Sequence, residues 1–177
     1  DFAAPTLIAA IHADQSTPKK PSLLVTDMML GGIWRQPLGR PRPEPTSITK
    51  ATHPTKTLVH DIDGDGRAEY VVLELSTFGA KDIDRGRVIV FDPDSTSDTY
   101  ALLSGVGRIA DAAFGDVDGD GQSDIVVADF GWQRTGGLRL LSKRNVTDGR
   151  ARFEQRALDS MAGHVAVALV DMDGDGD

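Results

Sequence analysis

The chain alternates short apolar runs with polar, glycine-containing loops, and no stretch of it holds a helical period. Three runs rich in β-branched residues, SLLVTDM from Ser22, EYVVLEL from Glu69 and DIVVADF from Asp124, have the length and composition of strands. A shorter apolar segment leads into each (LIAAIHA, TLVH and IADAAFG), and another of the same kind, VAVALV, begins at Val165. A glycine-led third run follows each strand: GGIWRQPL at 31–38, GRVIVFDP at 86–93 and GGLRLLSK at 136–143. A more polar segment closes the unit, as in TYALLSG at 99–105 and ARFEQRAL at 151–158. Of the connections, DPDSTSD at 92–98 has the composition of a hairpin turn, and RQPLGRPRPEP at 35–45, with four prolines, reads as an extended link. AKDIDRGR at 80–87 reads as a solvated turn.

The loops between the first and second runs repeat most closely. DIDGDGRAE starts at Asp61, DVDGDGQSD at Asp116 and DMDGDGD at Asp171, each 55 residues after the last. A fixed period of this size marks a repeat architecture. Upstream, DQSTPKKPS starts at Asp14 and feeds SLLVTDM in the same way. In all three complete units an acid stands 13 residues after the loop start: Asp27, Glu74 and Asp129. Four short strands per repeat is the pattern of a propeller blade. The prediction is an all-β fold, a partial β-propeller of four-stranded antiparallel blades: blade 1 at about 4–52, blade 2 at about 55–106, blade 3 at about 108–160 and the start of blade 4 at 163–177.

Carboxylates at alternate positions of a tightly curled loop suit calcium, a hard cation that takes about six to eight oxygens. In the second unit the candidate ligands are Asp61, Asp63, Asp65, the carbonyl of Arg67 and Glu69; in the third they are Asp116, Asp118, Asp120, the carbonyl of Gln122 and Asp124. The glycines at 64, 66, 119 and 121 let the backbone wrap a cation with positive φ. Position twelve, the last ligand of an EF-hand, is Val72 or Val127 here, and no helices flank the loop, so the pattern is a calcium hairpin between strands. Asp-Gly pairs also make hairpin turns without metal, but four close carboxylates without a cation repel one another. The third loop supplies Asp171, Asp173, Asp175 and Asp177, and the sequence stops at its seventh position, which implies a piece of a longer polypeptide. At Asp14 the loop carries Ser16, Pro18 and Ser22 instead of acids and is expected to bind nothing.

DIDGDGRAEYVV and DVDGDGQSDIVVADFG resemble the FG-GAP/VCBS repeats of β-propellers, the fold of the integrin α-subunit head and of many secreted bacterial proteins. The resemblance covers nearly the whole chain; Phe78-Gly79-Ala80 and Phe130-Gly131 echo the namesake motif. It implies calcium ligands at the positions just named, and a closed ring of seven blades of which these residues supply three and the opening of a fourth.

Composition narrows the function. With 177 residues and 40% hydrophobic side chains the chain can bury a core, and a formal net charge of -8 with clustered acids argues against nucleic acid and for cations as partners. Cysteine is absent, which excludes disulfides, thiolate zinc sites and haem attachment within these residues. No apolar run approaches the ~20 residues of a membrane span. His12, His53, His60 and His164 are scattered without a nucleophile partner, and a structural or surface role is expected for His60 and His164. The paired carboxylates are absorbed by calcium rather than left as general acids. Two readings follow: a non-catalytic calcium-binding scaffold for a protein or glycan, placed extracellularly, at the cell surface or in the periplasm, where millimolar calcium fills modest-affinity loops; or the propeller part of a larger secreted enzyme or cytochrome-fused redox protein whose active residues lie outside this segment.

Overall fold

A computed structural model describes residues 8–14, 16, 21–41 and 43–172, with side chains for all of these except 96–98. The described residues form twelve strands and no helix. Strands β1 (Ile8–Asp14), β2 (Ser22–Asp27), β3 (Gly32–Pro37) and β4 (Thr46–Lys50) make the first sheet. The second is β5 (Pro54–His60), β6 (Glu69–Glu74), β7 (Gly86–Asp92) and β8 (Ser95–Val106). The third is β9 (Ile109–Gly115), β10 (Asp124–Asp129), β11 (Gly137–Thr147) and β12 (Arg150–Asp159). Every neighbouring pair is antiparallel and consecutive in the chain, so each sheet is a simple meander. No helix among the described residues is long and apolar enough to cross a membrane.

The middle sheet explains why β6 carries no charge between its terminal glutamates. Tyr70 and Val72 of β6 join Leu24, Ile33, Ile89 and Phe91 in a core shared with the first sheet. Val71 and Leu73, pointing the other way, join Val88, Val90, Ile125, Val127 and Leu141 in a core shared with the third. Period-two alternation puts successive residues on opposite faces, and both faces are covered, so the four residues from Tyr70 to Leu73 are aromatic or aliphatic. Each such fully buried aliphatic side chain contributes roughly 2 kcal/mol relative to exposure. The first strands are neighbours: β1 meets β5, and β5 meets β9, where Lys56 Nζ lies 2.6 Å from Asp111 Oδ1.

The acid that ends each second strand is buried and tied to nearby backbone. Glu74 accepts from Thr52 N at 2.7 Å and Arg87 Nε at 2.5 Å; Asp129 accepts from Gly107 N at 2.9 Å. Asp27 instead accepts from Met29 N and Leu30 N of its own turn.

Two details depart from expectation. The 92–98 hairpin turns at Pro93-Asp94 and β8 already starts at Ser95, so the fourth strand is longer than its apolar part. Likewise β11 runs on to Thr147 and β12 begins at Arg150. These extensions are polar because the outer hairpin is solvated. Residues 160–172 carry no strand; the segment is tethered to the third sheet by hydrogen bonds from Gly163 N to Phe130 O at 2.8 Å and from Val167 N to Asp111 Oδ2 at 3.3 Å.

Candidate metal centre

Both complete acidic loops connect the first two strands of a sheet and are built alike. Asp61 Oδ1 accepts from Gly64 N at 2.7 Å and Oδ2 from Gly66 N at 2.9 Å. In the next unit Asp116 Oδ1 accepts from Gly119 N at 2.9 Å and Oδ2 from Gly121 N at 2.7 Å. The chain can coil this tightly around its own first carboxylate because the four glycines have φ of 84°, 88°, 73° and 80°, a region disfavoured for residues with a Cβ. The ninth-position acid closes the ring: Glu69 Oε2 accepts from Ile62 N at 2.8 Å, and Asp124 accepts from Val117 N at 3.2 Å and from Lys143 N at 2.9 Å.

This folding makes two separate triplets, one carboxylate oxygen from each of Asp61, Asp63 and Glu69 and one from each of Asp116, Asp118 and Asp124, with the oxygens of each triplet within 4.8 Å of one another. Asp65 and Asp120 stand outside these triplets, accepting from Arg67 N and Gln122 N at 2.8 and 2.9 Å. The Arg67 guanidinium turns to the neighbouring hairpin, 3.1 Å from Asp94 and 3.5 Å from Asp92, and the Gln122 amide donates to Asp120 at 3.0 Å. Asp171 is described; Asp173, Asp175 and Asp177 lie outside the described residues.

The donor set fits a hard divalent cation. All its atoms are oxygens, and among the described residues no cationic side chain pairs with Asp61, Asp63 or Asp65; in the third unit Arg144, held by Glu154 at 2.9 Å, lies 3.4 Å from Asp118. Burial, together with the charges of Asp63, Asp61 and Asp65, pushes the Glu69 carboxyl up to about 7, although the Ile62 amide pulls it down. A bound divalent cation would reverse that repulsion.

The first loop is different. Asp14, whose side chain is fully buried, accepts from Ser16 Oγ at 2.6 Å, Ser22 Oγ at 3.0 Å, Arg35 Nε at 2.8 Å and Tyr70 OH at 2.9 Å. Burial pushes its carboxyl up, but the hydrogen bonds from Ser16, Tyr70 and Ser22 outweigh this and hold it below the usual range. Pro18 lies outside the described residues.

Other contacts near the loops were not foreseen. His60 stacks on Phe114 with centroids 4.1 Å apart and shares a hydrogen bond with Ser123 Oγ at 2.9 Å, bridging the second and third sheets; burial lowers its pKa. His164 pairs with Asp159 at 2.9 Å. Asp82, in the segment read as a solvated turn, accepts from Arg134 N at 2.7 Å and Thr135 N at 3.1 Å in the next unit. Its Asp-x-Asp pair, Asp82 and Asp84, lacks the glycines of the repeated loops and gave no sign of this contact.

The FG-GAP-like repeat profile matches residues 61–127 and 116–177, starting both times at the first aspartate of an acidic loop. The chain belongs to the FG-GAP-like repeat family. The two FG-GAP-like matches together span more than half of the chain, and the first sheet, with its altered loop, falls outside them. Comparison with curated proteins and with solved structures returned no match.

Proposed function

We propose that these FG-GAP-like repeats are blades of a calcium-binding β-propeller, acting outside the cytosol as a non-catalytic scaffold for a protein or glycan. The observation that carries this reading is the same oxygen triplet, held by the same glycine-dependent coil, at the same loop of two successive sheets. The blade arrangement is supported by sheets stacked face to face with their first strands adjacent. Calcium would be held by Asp61, Asp63, Asp65, the Arg67 carbonyl and Glu69 in one loop, and by Asp116, Asp118, Asp120, the Gln122 carbonyl and Asp124 in the other. Its role is charge neutralisation: it links the turn to the start of the next strand. Modest-affinity loops of this kind stay filled where calcium is millimolar, which favours an extracellular, cell-surface or periplasmic setting.

A partner surface is supported at the opposite ends of the strands. There a cavity of about 430 Å³ is lined by Thr52, Ser76, Asp84, Arg85, Arg87 and Ser104, a mixture of hydroxyls and charges suited to a polar ligand.

Thermal melting in millimolar calcium and in excess chelator tests the metal reading. Binding to the folded state alone raises stability by about 2.7 kcal/mol at a hundredfold excess over Kd, so the melting temperature is expected to rise by several degrees with calcium. Equal melting temperatures would exclude it.

A further inference from the structure

We propose that the first loop is a cation site filled by the chain's own Arg35 guanidinium, and is therefore closed to calcium. The comparison rests on the calcium reading of the other two loops, but the contacts at Asp14 stand by themselves.

Register makes the substitution visible. Leu24 pairs with Arg35 across β2 and β3; the same position in the later units pairs Val71 with Val90 and Val126 with Leu140. Arg35 thus stands where the other units place an aliphatic residue. Its partner is equally singular. Tyr70 follows Glu69, the ninth loop residue of the second unit, and the residues at that position in the first and third units are Leu23 and Ile125. At the junction of the first two sheets the facing pair is therefore Arg35 and Tyr70, whereas at the next junction it is Val90 and Ile125, both fully buried in the apolar core.

The polar pair sits where the missing acids would leave Asp14 alone. The first unit has serines at loop positions three and nine, and Ser16 and Ser22 both donate to Asp14. A single buried carboxylate needs a counter-charge. Arg35 supplies it through Nε at 2.8 Å, while its NH2 group and Nε donate to the Tyr70 hydroxyl and its guanidinium lies 5.6 Å from the Tyr70 ring centre. The phenol in turn donates to Asp14, closing a three-membered network across two sheets. One carboxylate takes one monovalent, planar cation; four carboxylates take a divalent one. Charge count and register change together: the unit whose loop lacks the acids is the unit that carries the arginine, on β3.

The network also gives the junction between the first two sheets a lock that chelators do not open. Calcium on the later loops comes and goes with its concentration, but the guanidinium is part of the chain and stays charged at any pH at which the protein folds.

Two sets of variants test this. Restoring the acids at positions three, five and nine and the glycines at four and six, with Ser16→Asp, Thr17→Gly, Pro18→Asp, Lys19→Gly and Ser22→Asp, is expected to add no calcium by calorimetric titration while Arg35 is present, and to add one ion per chain when Arg35→Val is included. Uptake of an extra ion with Arg35 in place would overturn the proposal, and so would no extra ion in a folded variant carrying all six changes. Because that variant can fail to fold, a double-mutant cycle of Arg35→Gln and Tyr70→Phe is melted in excess chelator. Each single change is expected to lower the melting temperature, and the pair by less than the sum; additive or silent changes would overturn the network. Wild-type protein that takes up no calcium at all, with the cycle still coupled, would instead refute the calcium reading of the later loops.

Discussion

Asp14 and Glu69 are equivalent in chemistry and opposite in electrostatics. Asp14 is held below the usual carboxylate range, so its network contributes stability that is present above the ordinary aspartate pKa and lost as pH falls through the folded value. Glu69, pushed up to about 7, works in the other sense: its contribution is full below the ordinary glutamate value and lost as pH rises through about 7. Metal-free protein is therefore expected to melt at a lower temperature as pH is raised from about 5 to about 8, and Glu69→Gln should flatten that dependence. With calcium bound the fall should vanish, and uptake near pH 7 should release protons because the ligand must be deprotonated. Melting curves at a series of pH values, with chelator and with calcium, check both statements; a flat profile in chelator would show that Glu69 is not strained. The acids at loop positions one, three, five and nine were legible because they recur 55 residues apart. Which oxygens converge was not, since Asp65 and Asp120 turn toward backbone amides that no spacing reveals.

At the scale of the element, loop and strand respond to different kinds of substitution. Gly66 has φ of 88° and a Cβ added there would meet nothing within 4 Å, so Gly66→Ala is expected to cost about 1 kcal/mol through the backbone alone and to weaken calcium binding. Leu73, fully buried in the core between the second and third sheets, is expected to cost about 2–5 kcal/mol when cut to alanine, with calcium affinity little changed in the surviving fold. Chemical denaturation alongside calcium titration separates the two; equal effects on both quantities would mean that loop and core are not distinct. Strands such as β6 and β10 were easy to read because both faces are buried and the run between their terminal acids is unbroken by charge. The outer ends of β8, β11 and β12 were not, since a solvated hairpin carries no apolar signal.

Across the whole molecule, the three sheets are joined by two apolar cores and by polar contacts that span units. Asp82 reaches from the second unit to the amides of Arg134 and Thr135 in the third. Asp82→Ala is expected to speed hydrogen exchange at those two amides while leaving the β6 and β10 amides protected; unchanged exchange would show the contact to be incidental. Such links, like the Arg35–Tyr70 contact 35 residues apart in sequence, are invisible to periodicity because they depend on which sheet face meets which. The repeat itself was legible at this scale, and so was the all-β architecture. The measurement that bears most directly on the metal reading is calorimetric titration of metal-free protein with calcium, run on wild type, Asp63→Ala and Asp118→Ala. Two independent sites in the 61 and 116 loops, with each variant losing or weakening its own site by at least about tenfold, about 1.4 kcal/mol, is the expected result. No heat of binding in the wild type, or binding that both substitutions leave intact, would contradict it.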